Sequence, residues 1–179
     1  NQKIVHVTSL ADSGKGTLRE AVGLAGRRTV VFDVSGTINL KRPLRITESM
    51  VAIAGETAPP PGIAVVGDTV EIGASDVVIT HLRFFAGDRR ENSSPRYRDG
   101  LRIKGTRERP TRRVVIDHCT VSAAIDENFS TNGRVSDITL SNSIIADSLN
   151  KSLHPKGAHG KGILVGDGAR KVSIFRCLI

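Results

Sequence analysis

Four stretches of the chain repeat one pattern: "DVVITHLRF" from Asp76, "RVVIDHCTV" from Arg113, "DITLSNSII" from Asp137 and "KVSIFRCLI" from Lys171. In each, apolar residues take alternate positions, Val77/Ile79, Val114/Ile116, Ile138/Leu140 and Val172/Ile174. That is the period of a strand with one buried face. Strands so short cannot bury themselves singly, and similar units separated by loops of unequal length are the mark of a solenoid. Further short apolar runs, "TVVFDVSG", "VAIAGE", "IAVVGD" and "LRIKG", lie between and beside the repeats. Stacked coils of roughly 22–25 residues would bury all of them as one column of Val, Ile and Leu. The pattern predicts an all-β chain folded as a right-handed parallel β-helix. An immunoglobulin-like sandwich is the weaker alternative, because it wants tight hairpin turns between successive strands and Asn132-Gly133 alone offers one.

Before the first strand run stands "LADSGKGTLREAVGLAG". Gly14-Lys15-Gly16-Thr17 is not a phosphate-binding loop: Ser9 stands where a Walker loop needs Gly, and Gly16 where it needs Ser or Thr. Thr17-Leu18-Arg19-Glu20 instead reads as a capping box, followed by Leu18, Ala21, Val22 and Ala25 at helical spacing. A short helix over 17–25 is expected to cover the end of the stack, since apolar interior and unpaired strand edges cannot be left to water. The chain then divides into an N-terminal cap segment, 1–28, and β-helix coils, 29–179.

With no Trp, one Tyr and five Phe in 179 residues, the core must be aliphatic. A net charge of +8 favours a polyanionic partner. Nucleic acid is not expected, because stacking aromatics and a helix of clustered Arg and Lys are both lacking. No apolar run approaches the ~20 residues of a membrane span, and the N-terminus lacks the layout of a signal peptide. Cys119 and Cys177 share one repeat position two coils apart, about 9–10 Å at the inter-strand spacing, so both are expected as free thiols. His154 and His159, in "HPKGAHG", have no helical i,i+4 geometry, so a zinc pair is not expected there. His118 is expected to stack outside a coil with His81 and Asn142. Asn92-Ser93-Ser94 and Asn128-Phe129-Ser130 are glycosylation sequons.

Six segments in order, "TSLADSGKGTLREA", "VVFDVSGTI", "AGETAPPPGI", "VVITHLRFFAGD", "VVIDHCTVSAAIDENFS" and "SLHPKGAHGKGILVG", resemble the pectate lyases of the parallel β-helix class, specifically their bacterial branch. The resemblance covers nearly the whole chain, and Asp117-His118-Cys119 to Asp126-Glu127 is its most specific part. It implies a secreted, calcium-dependent lyase that cleaves polygalacturonate by β-elimination. Asp99 and Asp126 match the family's calcium carboxylates, with Glu127 adjacent, and Ser130 falls where related lyases carry another acid. His154, Lys156 and His159 match a segment beside the substrate groove and are implied glycan contacts. The family's Trp is replaced by Ser122-Ala123-Ala124. Its catalytic Arg lies beyond the strand that here is "KVSIFRCLI", and the sequence stops at Ile179. The catalytic residue therefore stays unassigned, weak turnover and self-association through an uncapped C-terminal coil are expected, and the alternative is a non-catalytic module that binds acidic polysaccharide.

Overall fold

The structure, a computed structural model, describes residues 2–91 and 94–179; the Asn92 sequon lies outside the described residues. The chain opens with β1 (Lys3–Val7) and α1 (Leu18–Gly23). Five three-strand coils follow. The first is β2 (Arg28–Phe32), β3 (Gly36–Asn39) and β4 (Leu44–Ile46); the second is β5 (Val51–Ala54), β6 (Ile63–Val66) and β7 (Val70–Ile72). The third is β8 (Val77–Thr80), β9 (Leu82–Phe85) and β10 (Leu101–Gly105); the fourth is β11 (Thr111–Asp117), β12 (Thr120–Ser122) and β13 (Glu127–Gly133). The fifth is β14 (Val135–Ser141), β15 (Ile144–Ala146) and β16 (Lys161–Val165), with β17 (Arg170–Phe175) stacked beyond it.

Corresponding strands pair in parallel and build three sheets. The first runs β1-β2-β5-β8-β11-β14-β17, the second β3-β6-β9-β12-β15, and the third, which carries the cleft, β4-β7-β10-β13-β16. This is the parallel β-helix that the repeats predict, in the register they predict: Val77 pairs with Val114, Val114 with Ile138, and Ile138 with Val172. The interior column is aliphatic, with Val77, Ile79, Val114, Ile116, Ile138 and Leu140 all buried. Each such side chain contributes about 1.5–3 kcal/mol on leaving water. Cys119 and Cys177 are free, as expected.

The coils turn at repeated left-handed residues. Met50 and Asp76, just before β5 and β8, and Arg113, Asp137 and Lys171, within the first three residues of β11, β14 and β17, have φ of 63°, 59°, 55°, 58° and 52°. His81 and His118 turn the chain after β8 and β11, and their rings stack at 4.7 Å with planes 5° apart, as expected.

Helix α1 is shorter than the predicted 17–25. Thr17 caps it by accepting from the Glu20 amide, and Glu20 reaches back to the Gly16 amide at 2.6 Å. Leu24 is already extended. Arg28, only 1% exposed, sits under its C-terminal end and donates to the carbonyls of Ala21, Val22, Gly26, Glu48 and Ser49. Among the described residues no helix is long and apolar enough to cross a membrane.

Candidate cation and glycan site

Along β10, Leu101 and Ile103 point into the coil, so Arg102 and Lys104 fall on the outer face. Parallel register then lines up Arg45, Glu71, Arg102, Ser130 and Leu164 across the third sheet, and sets Glu127 opposite Lys161. The turn before β10 supplies Asp99 and the turn into β13 supplies Asp126. Residues from three consecutive coils, the third to the fifth, thus meet in a cleft of about 380 Å³. Asp99, Asp126 and Glu127 line it together with Arg96, Arg102, Lys104, Lys156 and Lys161. The three carboxylates expected to hold a cation do come together, with oxygens within 4.8 Å of one another.

Their surroundings were not expected. Both oxygens of the buried Asp99 are engaged: Arg102 Nε donates to Oδ2 at 2.9 Å and Nη2 to Oδ1 at 2.8 Å, and the Ser130 hydroxyl also donates to Oδ2. Arg102 reaches Glu71 on its other side at 3.4 Å. Burial pushes the Asp99 carboxyl above its ordinary value, and the Arg102 pairing only partly offsets it. For Arg102, burial works downward, but the hydrogen bonds and charge of Asp99 prevail and raise its pKa, so the guanidinium stays protonated. Burial, followed by the charge of Asp99, likewise raises Asp126.

The 147–160 loop closes one wall. His154, Lys156 and His159, expected to flank the substrate, all line the cleft. The two rings stack at 3.8 Å with planes 8° apart. Asp126 Oδ1 lies 3.3 Å from His159 Nε2 and 4.0 Å from His154 Nε2. The fold therefore brings this histidine pair to a carboxylate, which local spacing alone did not predict. Lys161 Nζ lies 2.9 Å from Glu127 Oε1, 3.0 Å from His159 Nε2 and 3.8 Å from Asp126 Oδ1. Burial and the nearby Lys161 charge hold the His159 pKa below its ordinary value.

Arg102 and Lys161 are the site residues that sequence reading passed over. Arg102 has a local signal, Asp and Arg three apart across Gly100; Lys161 has only its place after "HG" in the loop motif. The Asn128 sequon is a structural position instead. Its side chain is buried, accepting from the Ala124 amide at 3.0 Å and donating to the Ala146 carbonyl at 2.7 Å.

No family model matches the chain. It is 38% identical over 179 residues to a protein named probable pectate lyase C from Aspergillus oryzae, covering 99% of this chain and 38% of that protein. A protein of the same name from Neosartorya fischeri is 39% identical over 173 residues, covering 96% and 37%. Among solved structures, jun a 1, the major allergen from cedar pollen, superposes with a TM-score of 0.64 at 20% identity, over 79% of this chain and 45% of that one, a likeness of fold. These sequence relatives are fungal, so the expected bacterial branch has no support from them. Along nearly its whole length the chain is a homologue of proteins named probable pectate lyase C, and it spans about 38% of the length of the curated relatives it matches.

Proposed function

We propose that the cleft binds polygalacturonate and belongs to a pectate lyase that cleaves it by β-elimination. The observation that carries this reading is the pairing of a carboxylate floor with five basic side chains in one open cleft. An acidic glycan needs such a mixture: basic groups to take uronate carboxylates, and anionic ligands for a bridging cation. The all-oxygen trio of Asp99, Asp126 and Glu127 fits calcium in donor type and spacing. Calcium bound there would neutralise a uronate carboxylate and acidify the neighbouring C5 proton. Arg96, Lys104 and Lys156 orient the chain of sugars along the cleft, while Lys161 faces the carboxylates directly. Arg102 is not assigned as the base, since its guanidinium is committed to Asp99 and Glu71. Its engagement favours a second reading, in which this stretch of chain supplies binding and a base from elsewhere in the protein supplies turnover. Polygalacturonate is an extracellular polymer, so we place the protein outside the cell.

Two measurements on the same sample test the proposal. Affinity electrophoresis in polygalacturonate should show calcium-enhanced retardation that EGTA reverses. Absorbance of the unsaturated uronate product reports turnover separately. Retardation without product selects the binding reading, and no retardation in either condition defeats both.

A further inference from the structure

In the cleft two acceptors face each other without a proton between them. An ammonium is a donor only, so the 3.0 Å contact of Lys161 Nζ with His159 Nε2 makes that nitrogen the acceptor and places the ring proton on Nδ1. The lone pair of Nε2 then lies 3.3 Å from Asp126 Oδ1, itself an acceptor. Two such groups repel unless a cation holds them, and here the cation is the Lys161 ammonium, which Glu127 Oε1 also contacts at 2.9 Å. One nitrogen and two carboxylate oxygens thus surround the ammonium, at 3.0, 2.9 and, for Asp126, 3.8 Å. Lys161 is 45% exposed and enters from the open side, so it can swing out without disturbing the donors.

We propose that His159 Nε2, Asp126 and Glu127 form a site for a borderline transition-metal dication, of the Zn²⁺ or Co²⁺ class, at the place the Lys161 ammonium now fills. Three protein ligands with an open fourth position is the usual plan of a reactive zinc-type site. The imidazole nitrogen is what selects the metal, since calcium takes oxygen donors and imidazole suits Zn and its neighbours. His154 is not a ligand. A metal lies in the plane of the ring that binds it, and two parallel rings 3.8 Å apart cannot both contain it. The Nδ1 atom of His154 accepts from the Lys156 amide at 3.3 Å, which leaves its proton on Nε2. This ring instead stacks on His159 and fixes its direction. The site rests on the cleft reading above but shares only Asp126 and Glu127 with the calcium trio, exchanging Asp99, whose oxygens Arg102 and Ser130 already hold, for a nitrogen.

The test is titration of the whole chain with Co²⁺ alone, no glycan present, followed by its visible absorption band and by calorimetry. One equivalent should bind. Lys161→Met, which removes the competing ammonium, should tighten binding about tenfold, and His159→Gln should weaken Co²⁺ at least tenfold while leaving Ca²⁺ affinity within twofold. His154→Phe keeps the stacked ring and should leave Co²⁺ affinity within threefold. Absence of Co²⁺ binding in the Lys161→Met chain overturns the site; so does His159→Gln binding Co²⁺ as the parent does, or His154→Phe abolishing it. Because no sugar enters these assays, their failure leaves the polygalacturonate reading standing, and failed retardation in polygalacturonate leaves the metal site standing.

Discussion

Asp117 belongs to the first sheet, away from the cleft, and its carboxylate is among the best satisfied in the molecule. Ser141 donates to it at 2.6 Å and Asn142 at 2.8 Å, both across the coil step, while the adjacent His118 ring meets its other oxygen at 2.6 Å. The Ser141 hydrogen bond above all, then those from Asn142 and His118, bring its pKa down to about 2 from 3.8. A depressed acid stabilises the fold at pH above its unfolded value and loses that contribution as pH falls through the folded one. Asp117→Asn should therefore lower Tm by a few degrees at pH 6, with the difference shrinking below pH 4 and vanishing near pH 2. A difference that is constant across this range would mean Asp117 acts by shape and not by charge. The Asp-His pair is conspicuous in sequence, yet its work is to lock coils together. Asp99, Asp126 and Glu127, also readable from their motifs, do face one another. Arg102 meets Asp99 within one coil, three residues on, but what no motif shows is the neighbours from other coils: Ser130 reaches Asp99 because one coil advances the chain by one strand spacing, and His159 and Lys161 arrive at Asp126 from the next coil.

The first-sheet strands were legible because one face of each is buried and period-two alternation survives in the residues. The helix was legible at its start, where Thr17 and Glu20 satisfy amides, and misread at its end. Gly23 is a weak local stop signal, and the stop is fixed by a contact no local pattern shows, the carbonyls of Ala21 and Val22 being taken by Arg28, an arginine at the edge of the expected cap segment. Arg28 is the bolt between cap and first coil. It is buried under α1 and makes five hydrogen bonds to carbonyls, on the helix side and on the 48–49 turn. Replacement by Met keeps much of the volume but strands those acceptors, each costing roughly 1–3 kcal/mol where water cannot reach. Arg28→Met is expected to lose at least about 3 kcal/mol in urea unfolding, with Arg28→Lys recovering part of it. A Met variant within about 0.5 kcal/mol of the parent would show that water enters under the helix and that the bolt is dispensable.

At the scale of the whole molecule the two ends of the stack differ. The β1 end carries α1, with Leu18, Ala21 and Val22 buried beneath it. At the other end β15, β16 and β17 are the outermost strands of their sheets, and Ile144, Val165, Phe175, Leu178 and Ile179 are exposed, the last two at 65% and 69%. Among the described residues no helix closes this face as α1 closes the first; Leu178 bridges β15 at Ile144 and Ile145, and β16 and β17 keep open outer edges. Such an edge pairs readily with another strand or another chain. The +8 charge opposes association at low ionic strength, so salt should promote it by screening. Sedimentation velocity over a hundredfold range of concentration should then show a weight-average coefficient that rises with concentration, and rises more steeply at high salt. The double substitution Val165→Lys/Leu178→Lys should restore monomers, because it plants charge on the apolar face. A parent chain that stays strictly monomeric at every concentration and salt would mean that the β15–β17 face protects itself, by twist or by the exposed ends folding over it, and that the chain needs no cover there.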